Sequence, residues 1–70
     1  MERLAVRSRD IAIVGYEKET ATLEVAFRSG SVYRYTRVPA EIHESLLGAS
    51  SQGIFFRDHI RDRFQSEKVA

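Results

Sequence analysis

Between Thr22 and Arg28 the side chains alternate without a break, with Leu23, Val25 and Phe27 on one side and Glu24, Ala26 and Arg28 on the other. A period of two is the mark of a strand that buries one face. Upstream, Ile11-Ala12-Ile13-Val14-Gly15-Tyr16 is a short β-branched run, and the polar, turn-like Glu17-Lys18-Glu19-Thr20-Ala21 separates it from the alternating segment. Downstream, Ser29-Gly30 turns the chain into Ser31-Val32-Tyr33-Arg34-Tyr35-Thr36. The three runs predict an antiparallel meander. Val6-Arg7-Ser8-Arg9-Asp10 offers a short lead-in strand ended by Asp10.

The register of the second hairpin decides where the tyrosines point, because a slip of one residue moves every side chain to the opposite face. A two-residue Ser29-Gly30 turn pairs Phe27 with Val32 and Val25 with Arg34. That arrangement drops a guanidinium onto the apolar face and leaves Tyr33 and Tyr35 outside. A three-residue loop, with a type I turn over Arg28-Ser29 and Gly30 left-handed as a bulge, pairs Val25 with Tyr33 and Leu23 with Tyr35. It keeps like with like, and glycine removes the steric penalty of a positive φ. The bulged register is the expected one.

Val38-Pro39 ends the extended stretch, since the residue before proline avoids the α region and proline suits a first helical turn. In Ala40–Leu47, Ile42 and Leu46 fall one turn apart, Leu47 and Ala49 widen the stripe, and Glu41 lies near the positive N-terminal end. Gly48 weakens the last turn. Ser50 or Ser51 can cap a second helix, expected over residues 52–64, in which Phe56, Ile60 and Phe64 recur every fourth residue. Gly53 shares that stripe and predicts close approach to the first helix or the sheet. From Gln65 onward the pattern predicts fraying, and no repeat or linker divides the chain.

At 70 residues, 43% hydrophobic and 30% charged, the composition is that of one ordinary folded domain. The expected ordered core runs over about residues 6–64, between frayed termini. The chain has no cysteine, which excludes disulfides and thiolate chemistry and suits the cytosol. It has no signal-like N-terminus and no run long enough to span a membrane, so a cytoplasmic protein is expected. The net charge of +1 does not by itself imply a polyanion partner. Arginine heavily outnumbers lysine, however, and guanidinium forks grip phosphates and stack on aromatic rings.

Catalysis is poorly supplied. His43 and His59 are the only imidazoles, and His59 with Asp58 and Asp62 falls short of a three- or four-ligand metal site. There is no glycine-rich phosphate loop, nucleophile elbow or paired-carboxylate motif. Within the second helix, Arg57 and Arg61 make one edge and Asp58 and Asp62 the next. The plainer reading is a solvated face held by weak ion pairs. The alternative is a phosphate-tracking patch of Arg57, Arg61, Arg34 and Arg37. Tyr33 and Tyr35, were they outside, would add a stacking surface for single-stranded RNA.

Taken in order, Ile11, Val14-Gly15-Tyr16, Thr22–Phe27, Gly30, Tyr33-Arg34-Tyr35, Val38-Pro39, Leu46, Ala49, Ser51-Gln52-Gly53, Phe56 and Ile60-Arg61 resemble the KTSC domain family. The resemblance covers the chain from about Val6 to Phe64. It implies a short domain without established activity, found alone and as a C-terminal extension of lysyl-tRNA synthetase, for which RNA binding has been suggested. The chain departs from the family pattern with Ser8-Arg9 at the usual serine pair, Gln52 at a usual lysine and Arg57 at a usual asparagine. Together the residues and the resemblance predict an α+β domain, a three-stranded antiparallel meander followed by two helices packed on one face. The expected function is a non-catalytic, cofactor-free binding module. It takes RNA through Arg34, Tyr35, Arg37, Arg57 and Arg61, or instead serves protein interaction or self-association.

Overall fold

The computed structural model describes residues 1–70. Its single sheet has five antiparallel strands in chain order: β1 (Glu2–Ala5), β2 (Ile11–Glu17), β3 (Thr22–Phe27), β4 (Val32–Tyr35) and β5 (Ser66–Lys68). Two helices, α1 (Ala40–Gly48) and α2 (Gln52–His59), lie between β4 and β5 in the chain. The α+β class and the helical pair agree with the sequence, whereas the sheet gains a strand at each edge. The lead-in strand lies at Glu2–Ala5 rather than Val6–Asp10. The expected fraying from Gln65 gives way to β5, which pairs Ser66, Glu67 and Lys68 with Tyr35, Arg34 and Tyr33.

The β3–β4 hairpin adopts the bulged register, pairing Leu23 with Tyr35 and Val25 with Tyr33. The Gly30 amide donates to the Phe27 carbonyl at 3.0 Å, and the Phe27 amide donates to the Ser31 carbonyl at 2.9 Å. Gly30 itself has φ +105°. Here only a residue without Cβ takes the left-handed position at no cost. A second irregularity lies in β2, where Ile11 pairs with Phe27 and Ile13 with Ala26, leaving one extra residue between. Strict alternation would send Ile11 and Val14 to opposite faces. The bulge turns both into the core, where each is almost wholly buried.

That core consists of Ile11, Val14, Leu23, Val25 and Tyr35 from the sheet, Val38 from the following turn, and Leu46, Phe56 and Ile60 from the helical layer. Both helices therefore cover the same sheet face. Pro39 stands at the N-cap of α1, and the Ser51 hydroxyl caps α2 by accepting from the Ile54 amide at 3.3 Å. α2 ends earlier than the fourfold spacing predicts. Ile60 is its C-cap with φ −124°, and the amides of Ile60 and Arg61 both donate to the Phe56 carbonyl. Ile60 still faces inward, because the turn replaces the next helical turn without rotating the chain away. Gly53 approaches the β1–β2 loop instead of α1 or the sheet; a Cβ there would stand 3.6 Å from Asp10 Oδ2 and 3.8 Å from Ser8 Oγ.

Candidate functional site

One face of the β3–β4 hairpin carries a cluster of four rings. Phe27 meets Tyr33 and Phe56 edge-on at centroid distances of 6.0 and 5.4 Å. Phe56 meets Tyr35 at 5.5 Å, and Tyr33 lies 6.4 Å from Tyr35. The register puts all three strand residues of this cluster on the helix side of the sheet, and Phe56 reaches them from α2. Tyr35 is almost fully buried, whereas Phe27 and Tyr33 are half-buried. Their uncovered parts form the floor of an open cavity of about 690 Å³. That volume lies in the range of small-molecule sites.

The walls come from three places. Arg9 and Asp10 stand on the β1–β2 loop, Arg57 on α2, and Arg61 and Asp62 on the turn that follows. Ser66 of β5 closes the edge. The β1–β2 loop has no regular structure, yet it is tied down. The Ser8 hydroxyl accepts from the Asp10 and Ile11 amides at 3.3 Å each. Arg28 donates from Nε to the Ser8 carbonyl at 2.7 Å and from a terminal nitrogen to the Val6 carbonyl at 3.1 Å. Its amide reaches the Asp10 carbonyl at 2.8 Å. Arg28 is thus a clamp that fixes one wall.

The rim charges are unevenly engaged. Arg57 donates to Asp58 at 3.0 Å, an exposed pair between sequence neighbours that is worth little. Arg9, Arg61, Asp10 and Asp62 form no side-chain hydrogen bond or ion pair with any other side chain of the protein. The Tyr35 phenol is pushed up to about 12, first by burial and then by Tyr33; Arg61 opposes the rise and Asp62 adds to it. The phenol therefore stays protonated at neutral pH and feels both rim charges.

The expected patch of four arginines is divided. Arg57, Arg61 and Tyr35 meet at the cavity. Arg34 points to the opposite face of the sheet, because it lies between two inward tyrosines. There its Nε donates to Glu24 Oε1 at 3.0 Å while Arg3 Nε donates to Glu24 Oε2 at 2.8 Å. The two guanidinium groups cover Glu24, which is buried and held below the usual carboxylate range, chiefly by the Arg3 hydrogen bond. Arg37 is exposed in the turn between β4 and α1, at φ +59°. Neither Arg34 nor Arg37 lines the cavity.

Sequence reasoning missed Arg9, Asp10 and Ser66 as wall residues. The only local signal for the first two was Ser8 ahead of Asp10, a pairing suited to a side-chain-stabilised turn. The histidines stand elsewhere. His43 stacks on Tyr16 at 4.6 Å with planes 9° apart, and its imidazole is held below the usual histidine range by burial. His59 packs on Phe55 at 4.6 Å. No group of three or more His, Cys, Asp or Glu side chains is placed to hold a metal ion, and no helix is long and apolar enough to cross a membrane.

Fold and site together define a small α+β domain whose most developed surface feature is an aromatic cavity with a charged rim. A family profile for the KTSC domain matches residues 7–64, and the chain belongs to that family. The crystal structure of a KTSC domain protein from Yersinia pestis superimposes with a TM-score of 0.95 at 33% identity, covering 99% of this chain and 97% of the other. An uncharacterised protein of Stutzerimonas stutzeri is 45% identical over 56 residues, which is 80% of this chain and 79% of that protein. A lysine–tRNA ligase of Nostoc punctiforme is 42% identical over 55 residues, covering 79% of this chain but 10% of the ligase. The family thus occurs both in short proteins and as a small part of a tRNA ligase.

Proposed function

We propose that this chain is a non-catalytic binding module that takes single-stranded RNA at the aromatic cavity. In this reading it works in the cytoplasm and needs no cofactor. The observation that carries the proposal is the convergence of Arg9, Arg57 and Arg61 from separate elements around half-buried rings. Unpaired nucleotides need a π-face for the base and cationic forks for the flanking phosphates. Stacking is worth about 1–3 kcal/mol per base, and guanidinium contacts make the affinity fall with salt. The presence of a similar segment in proteins named lysine–tRNA ligase supports an RNA partner. Arg9, Arg57 and Arg61 are the proposed phosphate contacts and Phe27 and Tyr33 the stacking surface; Tyr35, 4% exposed, backs those rings from the core, and Arg34 is held by Glu24.

Fluorescence anisotropy with a mixed single-stranded RNA pool, titrated over salt, tests the proposal. Binding at low salt is expected, with a log–log slope that falls by about 0.7 for each phosphate contact removed by Arg57→Ala or Arg61→Ala. No measurable binding at low salt removes the RNA reading.

A second reading, self-association, draws on the opposite sheet face. The registers place Ala5, Ile13, Ala26 and Val32 side by side across four strands, and the Val69 amide bonds the Val32 carbonyl at the far end. Ala5 and Val69 are exposed at the two ends and Ile13 is 38% exposed beside Ala5, so the row reaches solvent. Sedimentation equilibrium at high protein concentration tests it, and a strictly monomeric profile excludes it.

A further inference from the structure

Resting on the RNA reading above, we infer that the base seated in the aromatic cavity is guanine, read through its Watson–Crick edge by the carboxylates of the rim. The cavity offers two signs of charge where phosphate binding alone needs one. Asp10 and Asp62 line it together with Arg9 and Arg61, and all four side chains are exposed without an intramolecular ion pair. A site that only tracked a polyanion would be weakened by two free carboxylates beside its guanidinium groups.

The carboxylates select for a ligand that brings hydrogen-bond donors. An ionised carboxylate only accepts, and its two oxygens match two parallel donors in a fork. Of the four RNA bases, guanine alone presents two adjacent donors, N1–H and the N2 amino group, on one edge. The cytosine and adenine amino groups each flank a ring nitrogen that accepts. The single N–H of uracil lies between two carbonyl oxygens. Both arrangements set lone pairs against the second carboxylate oxygen, so a carboxylate fork discriminates against them.

The placement also divides the labour within one nucleotide. The base seats against the half-buried Phe27 and Tyr33, its donor edge meets Asp10 or Asp62, and the flanking phosphates meet Arg9, Arg57 and Arg61. Asp10 comes from the clamped β1–β2 loop and Asp62 from the turn after α2. The two carboxylates therefore stand on walls contributed by different parts of the chain, and each can be tested alone.

The test is anisotropy at low salt with four labelled RNA hexamers, uridine throughout or with one internal guanosine, adenosine or cytidine. Wild-type protein is expected to bind the guanosine hexamer about tenfold more tightly than the others. Asp10→Asn or Asp62→Asn, whichever removes the reading carboxylate, is expected to abolish that preference. Glu44→Gln, on the exposed side of α1, is expected to retain it. Equal affinity for all four hexamers, or a guanosine preference that survives in both aspartate variants, overturns the guanine assignment and leaves RNA binding standing. Failure of every hexamer to bind overturns both.

Discussion

Replacing Gly30 with alanine isolates the contribution of one backbone angle to the whole arrangement. The glycine has φ +105°, and a Cβ built there meets no atom within 4 Å. The substitution therefore introduces no clash, and its cost is conformational. A left-handed backbone costs an ordinary residue about 1–2 kcal/mol, while alanine restricts the unfolded chain and recovers roughly 0.4–1 kcal/mol. The net destabilisation is about 1 kcal/mol. A domain of this length has on the order of 4–10 kcal/mol in total. Urea denaturation followed by far-UV circular dichroism reads the loss as a midpoint lowered by about 1 M, for a slope near 1 kcal/mol/M. Ser29→Ala, at the preceding exposed position, serves as the control and is expected to shift the midpoint by less than about half as much. Equal stability of Gly30→Ala and wild type would refute the reasoning. So would loss of the cross-strand contact between Val25 and Tyr33 in the NMR spectrum of the folded variant, because a clash-free conformational cost of about 1 kcal/mol leaves the register in place.

Three further outcomes follow from particular contacts. Spectrophotometric titration of the phenols should show Tyr35 ionising near pH 12. Its folded pKa lies above the ordinary value, so its contribution to stability is complete below about pH 10 and is lost as pH rises towards 12; Tyr35→Phe should remove the late step. Glu24 has the opposite sign, since its folded pKa is depressed by the Arg3 and Arg34 hydrogen bonds. Its contribution is present above the usual glutamate range and is lost as pH falls through the lowered value, so Glu24→Gln should flatten the acid limb of thermal stability. Tyr16→Phe removes the hydroxyl that donates to the Val38 carbonyl at 2.6 Å, and should cost about 1 kcal/mol in chemical denaturation.

The central hairpin was legible because both of its determinants are local. The alternation of Leu23, Val25 and Phe27 defined a face, and Gly30 offered the one loop that kept Tyr33 and Tyr35 on it. The edge strands were not legible, for a physical reason. Ser66, Glu67 and Lys68 are all exposed and carry no apolar period. β5 is held by its ladder with β4, and charged side chains on an outer strand also blunt unwanted pairing. β1 is similar, with Arg3 anchored by a carboxylate on β3 that is distant in sequence. The second helix was overextended because Phe56, Ile60 and Phe64 keep a helical spacing while the chain between them leaves the helix at Ile60.

The candidate site was half visible. Arg57, Arg61 and Tyr35 were named from the sequence and do share one cavity. Arg34 was separated from them by strand alternation once the tyrosines had turned inward, and its charge is spent on Glu24. For Arg9 and Asp10 the local pattern offered the Ser8 turn but not its place in the fold, which depends on Arg28 reaching back to the Val6 and Ser8 carbonyls.

The strand order has a mechanical corollary. β4 runs into α1, and the chain leaving α2 returns as β5 beside β4, so the helical pair is moored at both feet to adjoining strands about 4.8 Å apart. That outer tether braces the wall bearing Arg57, Arg61 and Asp62 against the rings. An occupant that braces this wall is therefore expected to slow amide exchange at Glu67 and Val69, the positions whose N–H groups the register turns toward β4, and peeling the strand loose is expected to hasten its release.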